Sequence, residues 1–267
     1  MKRLDPFVHL HSHTEYSLFD GISRIGELVS HVKEMGQTAL AITDHGVMYG
    51  AIYLYKECIK QGIKPIIGCE IYVTRGSRFD KSGNGKEKLA HLILLAENNE
   101  GYQNLIKICS KAWTEGYYHR PRADHELLEK YHEGLIVTSA CVGGEVPQAI
   151  LNGDMDEARK VIEFYINTFG KDNYFLEIQN HGLPEEAAVR PVLASLAKEY
   201  GLGLVATNDF HYTKKEDARS QEIKLCISTG KTLDDPYHFH FANDEFYCKS
   251  GDEMRAILGN FPGAIEN

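Results

Sequence analysis

Apolar and polar positions follow two alternating periodicities along this chain. Short, nearly continuous apolar runs predict strands at 7–11, 39–43, 65–73, 89–96, 134–139, 174–178 and 202–207. Amphipathic segments with a 3.6-residue period predict helices at 25–35, near 51–60 and 103–113, and at 124–129, 156–169 and 185–200. Because the strands are apolar throughout, we expect a parallel sheet whose outer face is covered by helices. Closure of seven such units gives a TIM-like (βα)7 barrel, one strand short of the usual eight.

The rhythm changes after His211. Helices are predicted at 219–228 and 251–258, separated by a segment with an aromatic-rich stretch at 237–241. We therefore divide the chain into a barrel, residues 1–213, and a C-terminal extension, residues 214–267. The chain stops without a terminating signal, so we expect the extension to lead toward further domains.

Composition is that of a globular protein with a sizeable core. The 267 residues are 43% hydrophobic and 25% charged, and no apolar run reaches a membrane-spanning length. With no apolar leader and six cysteines without paired spacing, we expect a cytoplasmic protein with no membrane partner. The net charge of −9 argues against a free-standing nucleic-acid binder, but not against a nuclease whose metals supply local positive charge.

Potential metal ligands recur where the predicted strands end. They are His11, His13, His45, Glu70, His91, Cys141, Asp209 and His211. In parallel barrels the carboxyl ends of the strands carry the functional residues, and all but His91, which stands near the start of its run, fit that placement. Histidine, carboxylate and thiolate donors together predict several divalent cations and hydrolysis of phosphate esters by a metal-activated water. Asp44 is interpreted as a residue that orients the ligands from behind.

Other histidines serve as comparisons within the chain. His31, His119, His125 and His132 are predicted to face solvent, whereas His238 and His240 copy the His-x-His spacing but are expected to pack or lie at an interface. His181 follows a strand and is a weaker candidate for the barrel mouth. Asp154 and Asp156 open a helix, so we interpret them as capping residues.

These residues together carry a family resemblance. His11-x-His13, Asp20, Thr43-Asp44-His45, Glu70, His91, Cys141 and Asn208-Asp209-x-His211 resemble the motifs of the PHP (polymerase and histidinol phosphatase) family. The stretches at 13–21, 96–105, 116–122, 232–235 and 245–250 resemble the PHP domains of bacterial replicative DNA polymerases. The resemblance covers essentially the whole chain.

The resemblance implies a distorted seven-stranded barrel with three divalent metal ions, which the donor types leave open as zinc, manganese or iron. One ion would be held by His11, His13, Glu70 and Asp209. Glu70 would bridge to a second ion shared with His91 and Cys141, and Asp20, His45 and His211 would hold the third. Many family members have histidine at the positions of Asp20 and Cys141, and both replacements can still bind a metal.

Two basic features are candidates for substrate contact. Arg120 and Arg122 flank Pro121, which stiffens their segment, so we expect them to bind substrate phosphate. The glycine-rich loop 75–88 has five basic and two acidic residues, and either closes over a nucleic-acid backbone or stays solvated.

The resulting functional hypothesis is a phosphoesterase domain of a replicative DNA polymerase that acts as a proofreading 3′–5′ exonuclease. Its partners would be a DNA 3′ end and the remaining polymerase domains. Two alternatives stay open. One is a small-substrate phosphatase of the histidinol phosphatase kind, which would use the same ligands, and the other is an interaction domain whose metals only stabilise the barrel.

Overall fold

The computed structural model describes residues 5–82 and 89–267. Its strands are β1 (Ala39–Ile42), β2 (Lys64–Val73), β3 (Ala90–Ala96), β4 (Arg122–Ala123), β5 (Leu135–Thr138), β6 (Tyr174–Ile178) and β7 (Gly203–Ala206). Its α-helices are α1 (Ile25–Met35), α2 (Ala51–Gln61), α3 (Asn99–Thr114), α4 (His125–Lys130), α5 (Glu145–Leu151), α6 (Met155–Phe169), α7 (Pro184–Tyr200), α8 (Ala218–Thr229) and α9 (Gly251–Leu258). The α/β class is therefore as predicted.

The strands form one curled sheet in the order β1-β2-β3-β5-β6-β7, with the two-residue β4 beside β2. The prediction of an all-parallel sheet is wrong for β3, which runs antiparallel to both β2 and β5. Periodicity could not reveal this, because a strand buried on both faces has the same apolar pattern in either direction. The reversal moves the beginning of β3 to the edge where the other strands end.

The segment predicted as the first strand, 7–11, is not a continuous strand. It is joined by isolated bridges, His9 to Leu40 and Ser12 to Phe210, so it lies between β1 and the segment after β7. The Ser12 hydroxyl donates to the Ala41 carbonyl at 2.7 Å, and Thr43 Oγ1 accepts from the Ser12 N–H at 2.8 Å. Residues 7–12 therefore pair through isolated bridges and hydroxyl groups, and the described strands form a curled sheet. The closed seven-stranded barrel that we expected is not confirmed.

Capping residues fix several helix ends. Asp154 accepts from the Glu157 N–H in front of α6, which confirms its capping role, and α1 ends at Gly36 in a left-handed conformation. Helix α5 was missed because it is short and contains Pro147. Among the described residues, no helix is long and apolar enough to cross a membrane.

Most of the apolar core lies between the sheet and α3, α5, α6 and α7. Residues after 213 return to this body, since Met254 and Leu258 of α9 belong to the main core cluster and the Ala206 N–H donates to the Ala264 carbonyl at 2.7 Å. The division at 213 stays a prediction.

Residues 83–88 of the basic loop 75–88 lie outside the described residues. Arg78 of the same loop is buried and forms ion pairs with Glu115 and Asp124, both at 2.8 Å.

Candidate metal centre

Four side chains, His11, His13, Glu70 and Asp209, converge on one point of the structure. His11 Nε2 lies 3.2 Å from Glu70 Oε2 and 3.0 Å from Asp209 Oδ1. His13 Nε2 lies 3.1 Å and 2.9 Å from the same two oxygens. All four residues are buried, and their ligand atoms lie within 4.8 Å of one another, which is a spacing that one metal ion could fill.

The atoms at this point lack hydrogen-bond partners within the described part of the chain. His11 Nε2, His13 Nε2, Glu70 Oε2 and Asp209 Oδ1 are all buried and unsatisfied. A buried polar atom without a partner costs about 1–3 kcal/mol, so four in one place are expensive to maintain. Because a divalent cation would satisfy all four at once, the site fits a bound metal.

The hydrogen bonds of Nδ1 in His11 and His211 show which nitrogen of each ring faces the cluster. His11 Nδ1 is 2.7 Å from Glu177 Oε1, and His211 Nδ1 is 2.8 Å from the Asp209 carbonyl oxygen. A carboxylate and a carbonyl can only accept, so both histidines carry a proton on Nδ1. In the neutral form each ring therefore presents the lone pair of Nε2 as a ligand.

Asp44 acts on His13 and does so through Ser17. Its carboxylate accepts from the Thr14 N–H at 2.7 Å and from the Ser17 hydroxyl at 3.1 Å. The Ser17 oxygen is then free to accept from His13 Nδ1 at 2.8 Å, which directs His13 Nε2 into the cluster. From its place beside His45 we expected Asp44 to orient the ligands from behind, and its contacts support that interpretation. Burial raises the pKa of Asp44 even though Thr14, His13 and Ser17 stabilise the carboxylate.

Glu70 is the side chain that joins the parts of the cluster. Its Oε1 lies 2.6 Å from His91 Nδ1, and its Oε2 lies 2.9 Å from His45 Nδ1. Cys141 Sγ lies 3.6 Å from His91 Nδ1 and 3.9 Å from Glu70 Oε1. Burial alone would raise the pKa of Glu70, but His45, His91 and His11 outweigh it and hold the pKa well below its usual range. The two oxygens of Glu70 therefore face different histidines, and the neighbouring histidines favour its ionised form.

His91 reaches the cluster because β3 is reversed. It pairs with Tyr72 near the end of β2, so the start of β3 meets the ends of its parallel neighbours. In the parallel sheet that we expected, His91 stands at the wrong end of its strand. The antiparallel strand provides the actual explanation.

A third group lies beside the first two. Asp20 Oδ2 is 3.3 Å from His45 Nε2 and 3.6 Å from His211 Nε2. The rings of His45 and His211 each stack on the ring of His13, with centroids 4.2 Å from that of His13 in both cases. The turn that ends at Asp20 requires a glycine at position 21, because a Cβ on Gly21 would lie 2.1 Å from the Thr14 carbonyl oxygen. The nine expected ligands thus converge, and their binding of metal stays a prediction.

Comparison with known proteins identifies the family. The model of the PHP domain matches residues 9–181. This chain belongs to the PHP family. It is 48% identical over 98% of its length to DNA polymerase III subunit alpha of Treponema pallidum, and 49% identical over 94% to that of Thermus aquaticus. It spans 22% and 21% of those two proteins, so it corresponds to about a fifth of each.

Structural comparison supports the PHP fold. A candidate metal-dependent phosphoesterase from Bifidobacterium adolescentis matches with a TM-score of 0.50 and 15% identity, over 99% of both chains. At that identity the match concerns the fold alone. The curled sheet of this PHP chain is therefore found in another protein with a very different sequence.

Two left-handed residues shape the loops of this PHP domain that carry Cys141 and Asp209. Ala140 has φ 59° and Asp209 has φ 39°, which is uncommon for residues with a side chain. A Cβ on Gly143 would approach the His91 ring at 3.2 Å, and the Gly143 N–H donates to Cys141 Sγ at 3.4 Å. Strained backbone of this kind persists where surrounding structure holds it, and it often marks functional sites.

The two arginines expected to bind phosphate have different surroundings. Arg120 is exposed, follows a tight turn at His119 (φ 60°), and lies with its Cζ 5.6 Å from the Phe19 ring centre and 5.9 Å from that of Tyr72. Tyr72 in turn stacks on His45 at 5.9 Å, which places Arg120 beside the cluster. Arg122 is 3% exposed and donates to the carbonyls of Gly116, Arg78 and Asp80, so the expectation of phosphate contact is wrong for Arg122.

The remaining histidines of the PHP chain join none of the metal-type groups among the described residues. His238 forms a hydrogen bond of 2.8 Å with Glu222. Both ring nitrogens of His181 are also hydrogen-bonded, Nδ1 to Glu186 at 2.5 Å and Nε2 to the Asn208 carbonyl at 2.7 Å. His125 was expected in solvent, but it stacks on Phe164 at 3.8 Å between ring centres.

Glu177 was not among the residues expected at the site. It lies in β6 with 2% exposure and bonds His11 directly. A single charged residue in the apolar run 174–178 is the signal that could have revealed it, because a carboxylate inside a buried strand needs a partner.

Proposed function

We propose that this PHP domain is a metal-dependent phosphoesterase. The observation that carries the proposal is the set of buried, unsatisfied nitrogen and oxygen atoms that face one another in the cluster. We assign three divalent ions, of zinc, manganese or iron, to nine ligands: His11, His13, Asp20, His45, Glu70, His91, Cys141, Asp209 and His211. When bound, such ions lower the pKa of a water molecule and so supply a nucleophile near neutral pH.

The charge of the loaded site favours an anionic substrate. Asp20, Glu70, Asp209 and an ionised Cys141 contribute about −4, and three divalent cations contribute about +6. The local balance of about +2 would attract phosphate although the chain as a whole carries −9. The cluster is more exposed on one side than on the other. The side chains of His11 and His13 are 0% exposed, whereas that of His45 is 15% and that of His91 is 26% exposed. We therefore place substrate on the His45 and His91 side.

The protein's own residues have distinct roles in this proposal. Glu70 holds the ion groups together, and the Asp44–Ser17 pair fixes the ring of His13. Arg120, beside Tyr72 and Phe19, is placed to bind a phosphate oxygen of the substrate with its planar guanidinium. Arg122 keeps the neighbouring backbone in position.

We propose a DNA 3′ end as the substrate, with 3′–5′ exonuclease activity that would remove misincorporated nucleotides. The support is the similarity to DNA polymerase III subunit alpha, of which the chain spans about a fifth. The remaining domains of such a polymerase would be the partner that delivers the DNA, in the cytoplasm. The extension 214–267 is proposed to lead toward them.

The deciding experiment compares two substrates under the same conditions. Purified protein is incubated with a 3′-labelled DNA strand and, separately, with p-nitrophenyl phosphate, with zinc, manganese or iron(II) added after treatment with a chelator. We expect metal-dependent release of labelled mononucleotides and lower turnover of the phosphomonoester. Turnover of the monoester alone would replace the exonuclease with a small-substrate phosphatase, and no turnover of either would leave a structural metal domain.

A further inference from the structure

Glu177 lies in a fully enclosed polar pocket behind the cluster. Its Oε1 lies 2.7 Å from His11 Nδ1 and 2.9 Å from Gln179 Nε2. The hydroxyl of Thr207 donates to the same oxygen, and the hydroxyl of Thr138 donates to Oε2. Every one of these neighbours offers a hydrogen to the carboxylate, so the pocket is built for an acceptor with negative charge.

The pocket also fixes the backbone of β6 at the same residue. The Glu177 N–H donates to Ser139 Oγ at 2.9 Å, and Ser139 stands directly before the strained Ala140–Cys141 turn. The carboxylate therefore has little freedom to move, and the ring of His11 is held by a carboxylate that three other side chains also hold. Such a rigid support is what a metal ligand needs to keep its geometry.

We propose that Glu177 is a positioning residue for the metal centre. Its carboxylate keeps the proton of His11 on Nδ1, holds the ring in one orientation, and makes Nε2 a stronger ligand for the ion shared with Glu70 and Asp209. Glu177 itself touches neither that ion nor the substrate. This inference rests on the metal-binding part of the proposed function and is independent of whether DNA is the substrate.

The test measures zinc affinity of the metal-free protein by competition with a chromophoric chelator, with hydrolysis left out of the readout. Glu177→Gln keeps the size of the side chain and removes its charge, and we expect roughly 10- to 100-fold weaker zinc binding. The matched control is Glu145→Gln. Glu145 is also buried and bonds a histidine, His125, at 3.1 Å, but that histidine joins no group of candidate ligands among the described residues. The control should bind zinc within about twofold of the unaltered protein.

Thermal melting of the metal-free variants separates positioning from a purely structural role. If Glu177→Gln melts lower than the unaltered protein but binds zinc equally well, Glu177 only stabilises the fold and the proposal is overturned. If Glu177→Gln does not fold, Glu177→Asp decides, because it keeps the charge and withdraws the oxygen from His11. Weakened zinc affinity in a folded Glu177→Asp supports positioning, and unchanged affinity rejects it. If the protein does not hydrolyse DNA, that result counts against the proposed exonuclease activity and leaves the proposed role of Glu177 unaffected.

Discussion

Addition of zinc to the metal-free protein should release protons, and the structure indicates from which groups. Burial alone would lower the pKa of His11, but Asp209, Glu177 and Glu70 raise it well above its usual value. The pKa of His45 is likewise raised well above the usual value, because Glu70 and Asp20 outweigh burial.

Two further groups should also release a proton when zinc binds. The pKa of His13 is raised, since the nearby carboxylates of Asp209 and Glu70 outweigh burial and the neighbouring His45. Burial and the charges of Glu70 and Asp209 raise the pKa of the Cys141 thiol well above its usual value.

The sign follows from these directions. A histidine or thiol with a raised pKa holds its proton at about pH 7, and a metal can bind only after that proton leaves. His11, His13, His45 and Cys141 therefore contribute up to four protons. The carboxyls of Asp20, Glu70 and Asp209 contribute none, because histidines overcome the effect of burial and hold their pKa values well below the usual range. Apparent zinc affinity should therefore fall about tenfold for each unit by which the pH is lowered, for each proton released.

Isothermal titration calorimetry at pH 7 measures this number. Zinc is titrated in two buffers that differ in ionisation enthalpy, and the difference between the observed enthalpies gives the protons released per ion bound. Cys141→Ser should lower the total by about one. Equal enthalpies in the two buffers would show that no proton leaves, and would refute the assignment of these groups as ligands.

Three other predictions concern individual residues and DNA. Glu70→Ala should lose at least one metal ion and most of the hydrolytic activity, whereas His238→Ala and His240→Ala should lose neither. Elemental analysis and the rate of hydrolysis measure these losses, and equal losses in all three variants would show the site assignment to be wrong. Arg120→Ala should raise KM for DNA about tenfold with little change in kcat, whereas Arg122→Ala should lower the free energy of unfolding by roughly 3 kcal/mol, since three carbonyls lose a donor. The protein alone should bind DNA weakly and with strong salt dependence, because affinity comes largely from neutralised phosphates; tight, salt-insensitive binding in a fluorescence anisotropy titration would contradict this.

The sequence predicted most of the helices and the convergence of the candidate ligands for a physical reason. Apolar periodicity is local, so α1, β6 and α9 begin and end where it indicates. The ligands stand at strand ends, and a common edge brings such ends together whatever the details of the sheet. Seven candidate ligands in that register therefore predicted one cluster, whereas His91 did not fit the register and Asp20 was expected from the family resemblance alone.

Features that depend on partners distant in the chain could not be read from periodicity. The direction of β3 and the irregular segment around Ser12 are set by neighbours on either side in the sheet. The same holds for Arg122, whose segment suggested phosphate contact, although its guanidinium is bound by carbonyls from the loop at 78–80 and from Gly116. Residue type alone does not distinguish a buried guanidinium from one that faces substrate.

The central claim is that the nine converging side chains bind divalent metal ions, and the most direct measurement is the metal content of the folded protein. Protein purified without chelator, and protein reconstituted with zinc or manganese, should be analysed by inductively coupled plasma mass spectrometry beside Glu70→Ala. We predict up to three divalent ions per chain in the unaltered protein and at least one fewer in the variant. A content near zero that added zinc or manganese does not restore would contradict the account.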